Sequence, residues 1–143
     1  RTLFFDFMPL DLGLINGFKA RISMYTVPGQ EEYNKSRKLI LRDVDGIVFV
    51  ADSSVVRSEE NQASLKNMMD NLKEYNLTLQ DIPWVLQYNK RDISNMMTVE
   101  RMESELNKMG VPAFEAVALE GKGVFATLKA ITKMMLNRAK GED

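Results

Sequence analysis

Cysteine and histidine are both absent from the sequence. Their absence removes disulfides, thiolate nucleophiles, zinc sites of the usual kind and imidazole acid–base chemistry in one step. A metal here must be held by oxygen, which makes magnesium the natural candidate. Positive charge is not in excess either. The 19 Lys and Arg against 20 Asp and Glu leave a net charge of -1, which argues against nucleic-acid binding through a broad basic face. No apolar run is long enough to span a bilayer, and no signal-peptide pattern opens the chain. Also missing is any G-x-x-x-x-G-K-[ST] phosphate loop; Gly121-Lys122-Gly123 precedes a helical pattern but is too short to replace one.

What is present fits one globular domain of 143 residues, with 45% hydrophobic and 27% charged positions. Most of the ten Met residues fall at helical spacing and read as core filler. Leu3 to Met8 is strand-like by its aromatic content, and Phe18 to Tyr25 alternates, with Phe18, Ala20, Ile22 and Met24 on one face. Asn16-Gly17 between them is a strong hairpin signal, because both turn positions want positive φ. A Pro28-Gly29 loop follows, then Asn34 to Arg42 as a short helix or an irregular turn. Its Lys35, Arg37, Lys38 and Arg42 read as a solvated face, with partner or membrane-surface contact as the alternative.

Gly46 to Ala51 is a continuous apolar run ending at Asp52, the mark of a strand buried on both faces of a mainly parallel sheet. Asp52 itself reads as a polar strand end. From Ser58 the period turns helical through Leu65, Met68, Met69, Leu72 and Tyr75, with Asn76 as a left-handed stop. Trp84 to Tyr88 is the next parallel strand. Thr98 caps a helix carrying Val99, Met102, Leu106 and Met109 and ended by Gly110; Phe114 to Val117 is a last short strand. The final helix is expected to bury Val124, Phe125, Leu128, Ile131, Met134 and Met135. Alternation of strand and helix from Gly46 onward predicts an α/β class, a mostly parallel sheet with helices on both faces. In such sheets ligands bind outside the carboxyl ends of the strands. Thr26 to Gln30, Asp52, Asn89 to Asp92 and Val117 to Leu119 therefore share one rim.

Within that rim, Asn89-Lys90-Arg91-Asp92 carries a specific chemistry. An ionised Asp accepts two parallel hydrogen bonds, and guanine offers two adjacent donors, its ring N–H and its exocyclic amine. Adenine presents an acceptor at the ring position. At ~1.5–3 kcal/mol for each charge-assisted bond, and with the carboxylate left unpaired by the wrong base, strong selection of guanine is within reach. A solvated turn after a strand is the plainer reading of so short a motif.

Taken together, these stretches resemble the Ras-like small GTPases, and within them the bacterial MglA type associated with gliding motility and cell polarity. Pro28-Gly29-Gln30-Glu31-Glu32-Tyr33 is similar to the second switch, Asn89-Lys90-Arg91-Asp92 to the guanine motif, and Glu115-Ala116-Val117-Ala118 to the motif whose Ala N–H meets the guanine carbonyl. Arg1-Thr2-Leu3-Phe4-Phe5-Asp6-Phe7, Tyr25 to Gln30 and Arg37 to Leu41 carry the likeness toward MglA.

The resemblance implies a P-loop NTPase-like fold that binds GTP or GDP with Mg2+ and hydrolyses GTP to GDP. It implies that Asp92 reads the guanine edge, Asn89 ties its loop to neighbours, the Lys90 stem covers one face of the base and Ala118, with Leu119 beside it, offers a backbone N–H. Thr2 meets magnesium and the γ-phosphate, Gly29 gives its N–H to that phosphate, Gln30 orients the attacking water and Arg1 acts in cis as a finger. Partners implied are a GTPase-activating MglB-like protein of roadblock fold, effectors, no nucleic acid and no transmembrane segment, in a cytoplasmic protein recruited to a cell pole.

Two departures stand out. Thr26 stands where the family usually has Asp as an indirect magnesium partner, which the MglA type tolerates. The phosphate loop and its strand lie upstream of Arg1 in the family. The chain opens on Arg1-Thr2 without an initiator Met, so the expectation is a partial domain that cannot by itself form a stable, nucleotide-competent monomer. The competing readings are a non-hydrolysing scaffold that keeps the fold without turnover, and a flavodoxin-like regulator, which the motifs do not favour.

Overall fold

The computed structural model describes residues 6–15, 17–27, 31–139 and 141. Among the sequence-derived candidates, Arg1, Thr2, Gly29, Gln30, the start of the first strand and Asn16 of the hairpin turn lie outside the described residues.

The antiparallel ribbon runs longer than its aromatic pattern implied. β1 (Asp6–Ile15) pairs with β2 (Phe18–Thr26) from Asp6 opposite Thr26 to Ile15 opposite Phe18. A bulge between Asp11 and Gly13 shifts the register; Gly13 takes φ of 71°, and its N–H donates to Asp11 Oδ1 at 2.9 Å. Ala20, Ile22 and Met24 alternate inward as expected, whereas Phe18, next to the turn, is exposed.

The rest is α/β. α1 (Asn34–Leu41), β3 (Ile47–Asp52), α2 (Ser58–Lys73), β4 (Trp84–Asn89), α3 (Val99–Leu106), β5 (Ala113–Glu115) and α4 (Val124–Ala139) follow in order. β3, β4 and β5 form a parallel three-stranded sheet with β4 in the middle, in register from Ile47 opposite Trp84 to Asp52 opposite Asn89. Trp84 to Tyr88 are all buried, as an uninterrupted apolar run in a central parallel strand demands. β3 departs from the expectation of burial on both faces. Val50 is 52% exposed, because β3 is laddered only to β4 among the described residues.

One core cluster gathers Leu41, Met68, Leu72, Trp84, Met102 and Leu106 with their neighbours. α4 lies against β3 and β4, so closely before β3 that a Cβ at Gly46 would stand 2.5 Å from Met135 Sδ. Phe125, expected inside, is exposed, and the first turns of α4 bury Thr127 instead, whose Oγ1 accepts from buried Gln87 Nε2 at 2.8 Å. Asn76 stops the α2 segment at φ of 60°, and Thr98 Oγ1 caps α3 by accepting from the Arg101 N–H. No helix among the described residues is long and apolar enough to cross a membrane.

Candidate functional site

Parallel pairing puts the carboxyl ends of β3, β4 and β5 side by side, and the loops that follow are laced together by hydrogen bonds. The Ser53 N–H donates to the Asn89 carbonyl at 3.0 Å, the Ala116 N–H to the Tyr88 carbonyl at 2.8 Å, and the Arg91 N–H to the Ala116 carbonyl at 3.1 Å. Asn89 Oδ1 accepts from the Ala118 N–H at 2.9 Å, bridging 29 positions of sequence. Asn89 thus ties its loop to the 116–118 segment, and the Ala118 N–H that the resemblance assigned to a base carbonyl is already engaged by a carbonyl of the same chemistry.

Lys90 sits in the left-handed region at φ of 65°, which a side chain with a Cβ adopts only when its surroundings hold it there. Its Nζ reaches Asp52 Oδ2 at 2.9 Å. Asp52, read from sequence as a plain strand end, is held on every side. Oδ1 accepts from the Ser54 N–H at 2.9 Å, while buried Asn61 accepts from the Asp52 N–H at 3.1 Å and donates to its carbonyl at 2.8 Å. Burial pushes the Asp52 carboxyl up, but the hydrogen bonds from Lys90 and Ser54 outweigh it and leave the group below the usual carboxylate range.

Asp92 is exposed and makes no hydrogen bond or ion pair among the described residues. It is a carboxylate presented at a strand end with both oxygens open. Leu119 is fully exposed beside Ala118. Asn89, Lys90, Asp92, Ala118 and Leu119 are therefore brought onto one rim; Arg1, Thr2, Gly29 and Gln30 are outside the described residues.

Two residues that sequence reasoning passed over hold this rim. Arg91, the variable position of the motif, buries its stem and donates from Nη1 to the Met97 carbonyl at 2.7 Å and from Nε to Glu115 Oε1 at 3.1 Å. Asn61 is the other, and a signal for it existed. It falls on the stripe of Leu65, Met68 and Leu72, and a polar residue on an apolar helix face implies a buried partner. Below the rim, Tyr88 donates to Glu103 Oε2 at 2.6 Å; burial first, then that bond, push its phenol up. Ser58, at the start of α2, donates to Glu105 Oε1 at 2.9 Å.

The basic cluster is only partly a solvated face. Arg37 Nε donates to Asn67 Oδ1 at 3.1 Å, Lys38 pairs with Glu74 at 2.8 Å, and Asn67 and Asn71 both donate to Asn34 Oδ1 at 3.0 Å. These polar contacts fasten α1 to α2 alongside the buried Leu41, which packs in the same core cluster as Met68 and Leu72.

The open Asp92 carboxylate has the chemistry to accept from the two adjacent donors of a guanine base, and it follows the same strand as Lys90 and as Asn89, whose Oδ1 accepts from the Ala118 N–H. No group of three or more acidic ligands that could hold a metal ion converges among the described residues, and Thr2 lies outside them.

The Ras family model matches residues 2–137. The mutual gliding-motility protein MglA of Myxococcus xanthus is 56% identical over 140 residues, 98% of this chain and 72% of that protein. The human Ras-related protein Rab-26 is 27% identical over 128 residues, 87% of this chain and 48% of its own length. A parallel sheet whose strand-end loops interlock around an Asn-Lys-Arg-Asp motif, matched along nearly its full length, places the chain in the Ras family, as a Ras-like GTPase of the MglA type.

Proposed function

We propose that the chain carries the base-reading and switch residues of a small GTPase that hydrolyses GTP to GDP and governs gliding motility or cell polarity. The observation that carries the reading is the open Asp92 carboxylate, displayed on the same rim as the Ala118 N–H by the Asn89 bridge. In this reading Asp92 takes the two guanine donors, Ala118 shares its N–H with the base carbonyl, and the Lys90 stem covers one face, with Leu119 at the margin. Residues 1–143 belong to one Ras-like domain. Thr2 and Gly29 serve the γ-phosphate, Thr2 also meeting Mg2+, which when bound neutralises charge on the phosphates. Gln30 orients water, and Arg1 offsets charge on the transferring phosphoryl group. The protein acts in the cytoplasm, at a cell pole, with a roadblock-type activating partner and effectors that read the ordered switch.

A non-hydrolysing scaffold is favoured by one observation, Thr26 at the end of β2 where the usual family residue is Asp. Single-turnover GTP hydrolysis by the natural full-length protein separates the two. Gln30→Leu is expected to slow it strongly, and equal rates would favour the scaffold. Asp92→Asn is expected to move preference from guanine to xanthine nucleotides, because an amide can donate to the added carbonyl. Unchanged guanine selectivity would remove Asp92 from the site.

A further inference from the structure

The geometry points to Asp52 as a positioning residue for the nucleotide base: it pins the Lys90 ammonium from the end of the neighbouring strand, so that the lysine stem is laid down as a fixed wall of the base site. The inference rests on the reading of the rim as a guanine site.

Three observations combine. Lys90 carries a backbone conformation unusual for a residue with a Cβ, and its flanks are tied down by the Arg91 N–H to Ala116 and by Asn89 to Ala118. The backbone is thus fixed while the four-carbon stem is free to rotate, and a Lys stem loses much entropy on being ordered. Asp52 is the group that settles it, at 2.9 Å from Nζ across 38 positions of sequence. The carboxylate is in turn held before any ligand arrives, because Ser54 orients one oxygen and Asn61 grips the Asp52 backbone from both sides. A group that served only to end a strand would need none of this. A base arriving against a pre-set stem does not have to order it, so the pair reduces the entropy lost on binding and slows release.

The size of the effect is bounded by exposure. The Lys90 side chain is 56% exposed and that of Asp52 22%, and half-exposed ion pairs contribute modestly, so release should quicken by about two- to fivefold when the pair is lost.

The test uses the natural full-length protein loaded with a fluorescent guanine nucleotide, following dissociation in excess unlabelled GDP. Asp52→Asn keeps an oxygen for the Ser54 N–H and removes the charge; Lys90→Met keeps the stem and removes the ammonium. Each is expected to speed release about two- to fivefold, and the double variant no further than either alone, because both delete the same interaction. A purely structural role at the strand end would leave Lys90→Met without effect, and independent roles for the two residues would make the double variant's losses additive; either result overturns the assignment. Release from Asp52→Asn at the wild-type rate overturns it as well. Should Asp52→Asn fail to fold, Lys90→Met decides alone: faster release supports the assignment and an unchanged rate refutes it. If the wild-type protein binds no guanine nucleotide, it is the reading of the rim that has failed.

Discussion

Replacing Asn61 tests how the rim is held. Asn61 is 7% exposed, and its amide makes two hydrogen bonds to one residue, accepting from the Asp52 N–H at 3.1 Å and donating to the Asp52 carbonyl at 2.8 Å. Asn61→Ala removes both and leaves two part-buried backbone groups without those partners. With each bond contributing ~0.5–1.5 kcal/mol net and each stranded group costing ~1–3 kcal/mol unless water reaches it, a loss of about 2–4 kcal/mol is expected. Asn61→Asp is nearly isosteric and more discriminating. One carboxylate oxygen still accepts from the Asp52 N–H, while the other faces the Asp52 carbonyl, acceptor against acceptor. Once protonated, the introduced carboxyl can donate there as the amide did. Its folded pKa is therefore raised above the unfolded value of about 4, and the destabilisation is full above the folded value and fades as pH falls through it. Urea unfolding of the full-length protein at fixed nucleotide excess, at pH 7 and pH 5, measures both effects. A loss below about 0.5 kcal/mol for Asn61→Ala, or a pH-independent penalty for Asn61→Asp relative to wild type, would refute the clamp.

Two further outcomes can be checked on the same protein. Burial pushes Glu105 up, but the hydrogen bonds from Arg101 and Ser58 prevail and hold it below its ordinary value of 4.5. A depressed folded pKa means stability that is present above 4.5 and lost as pH falls through the folded value, so Glu105→Gln should flatten acid unfolding in that window; identical acid transitions would count against the Ser58 and Arg101 bonds. Gly121 and Gly123 have φ of 76° and 77°, yet a Cβ at 121 meets nothing within 4 Å whereas one at 123 would overlap the Glu115 carbonyl oxygen. Gly121→Ala should cost ~1 kcal/mol of backbone strain, and Gly123→Ala at least about 2 kcal/mol more; equal urea midpoints would contradict the close approach of α4 to β5.

The parts of the fold that were legible in sequence are those whose burial is one-dimensional. Trp84 to Tyr88 reads as a central strand because its neighbours cover both faces, and Thr98 reads as a cap because its partner lies three residues on. β3 looked the same in sequence as β4, but Val50 is exposed, since burial of a strand depends on the strand beside it and not on its own residues. Phe125 was misplaced because the hydrophobic stripe of α4 is broad, and Thr127 takes the inner position through its bond to Gln87. The Asn-Lys-Arg-Asp motif and the tie made by its Asn89 were visible in sequence; the other residues that hold the rim were not. Arg91 occupies a position the motif leaves open, and Asp52 acquires its role only when parallel pairing sets it opposite Asn89.

The long reach of the rim contacts governs when the site can exist. Asn89 meets Ala118 across 29 positions and Lys90 meets Asp52 across 38. Neither forms within a single hairpin or helix, so each must wait for the slow, non-local docking of parallel strands. A chain still emerging from the ribosome, with Ala118 inside the tunnel, has the Asn-Lys-Arg-Asp motif but not the assembled rim. If the rim takes a nucleotide as proposed, capture comes at the end of folding, and from that moment mass action draws the chain toward its finished form.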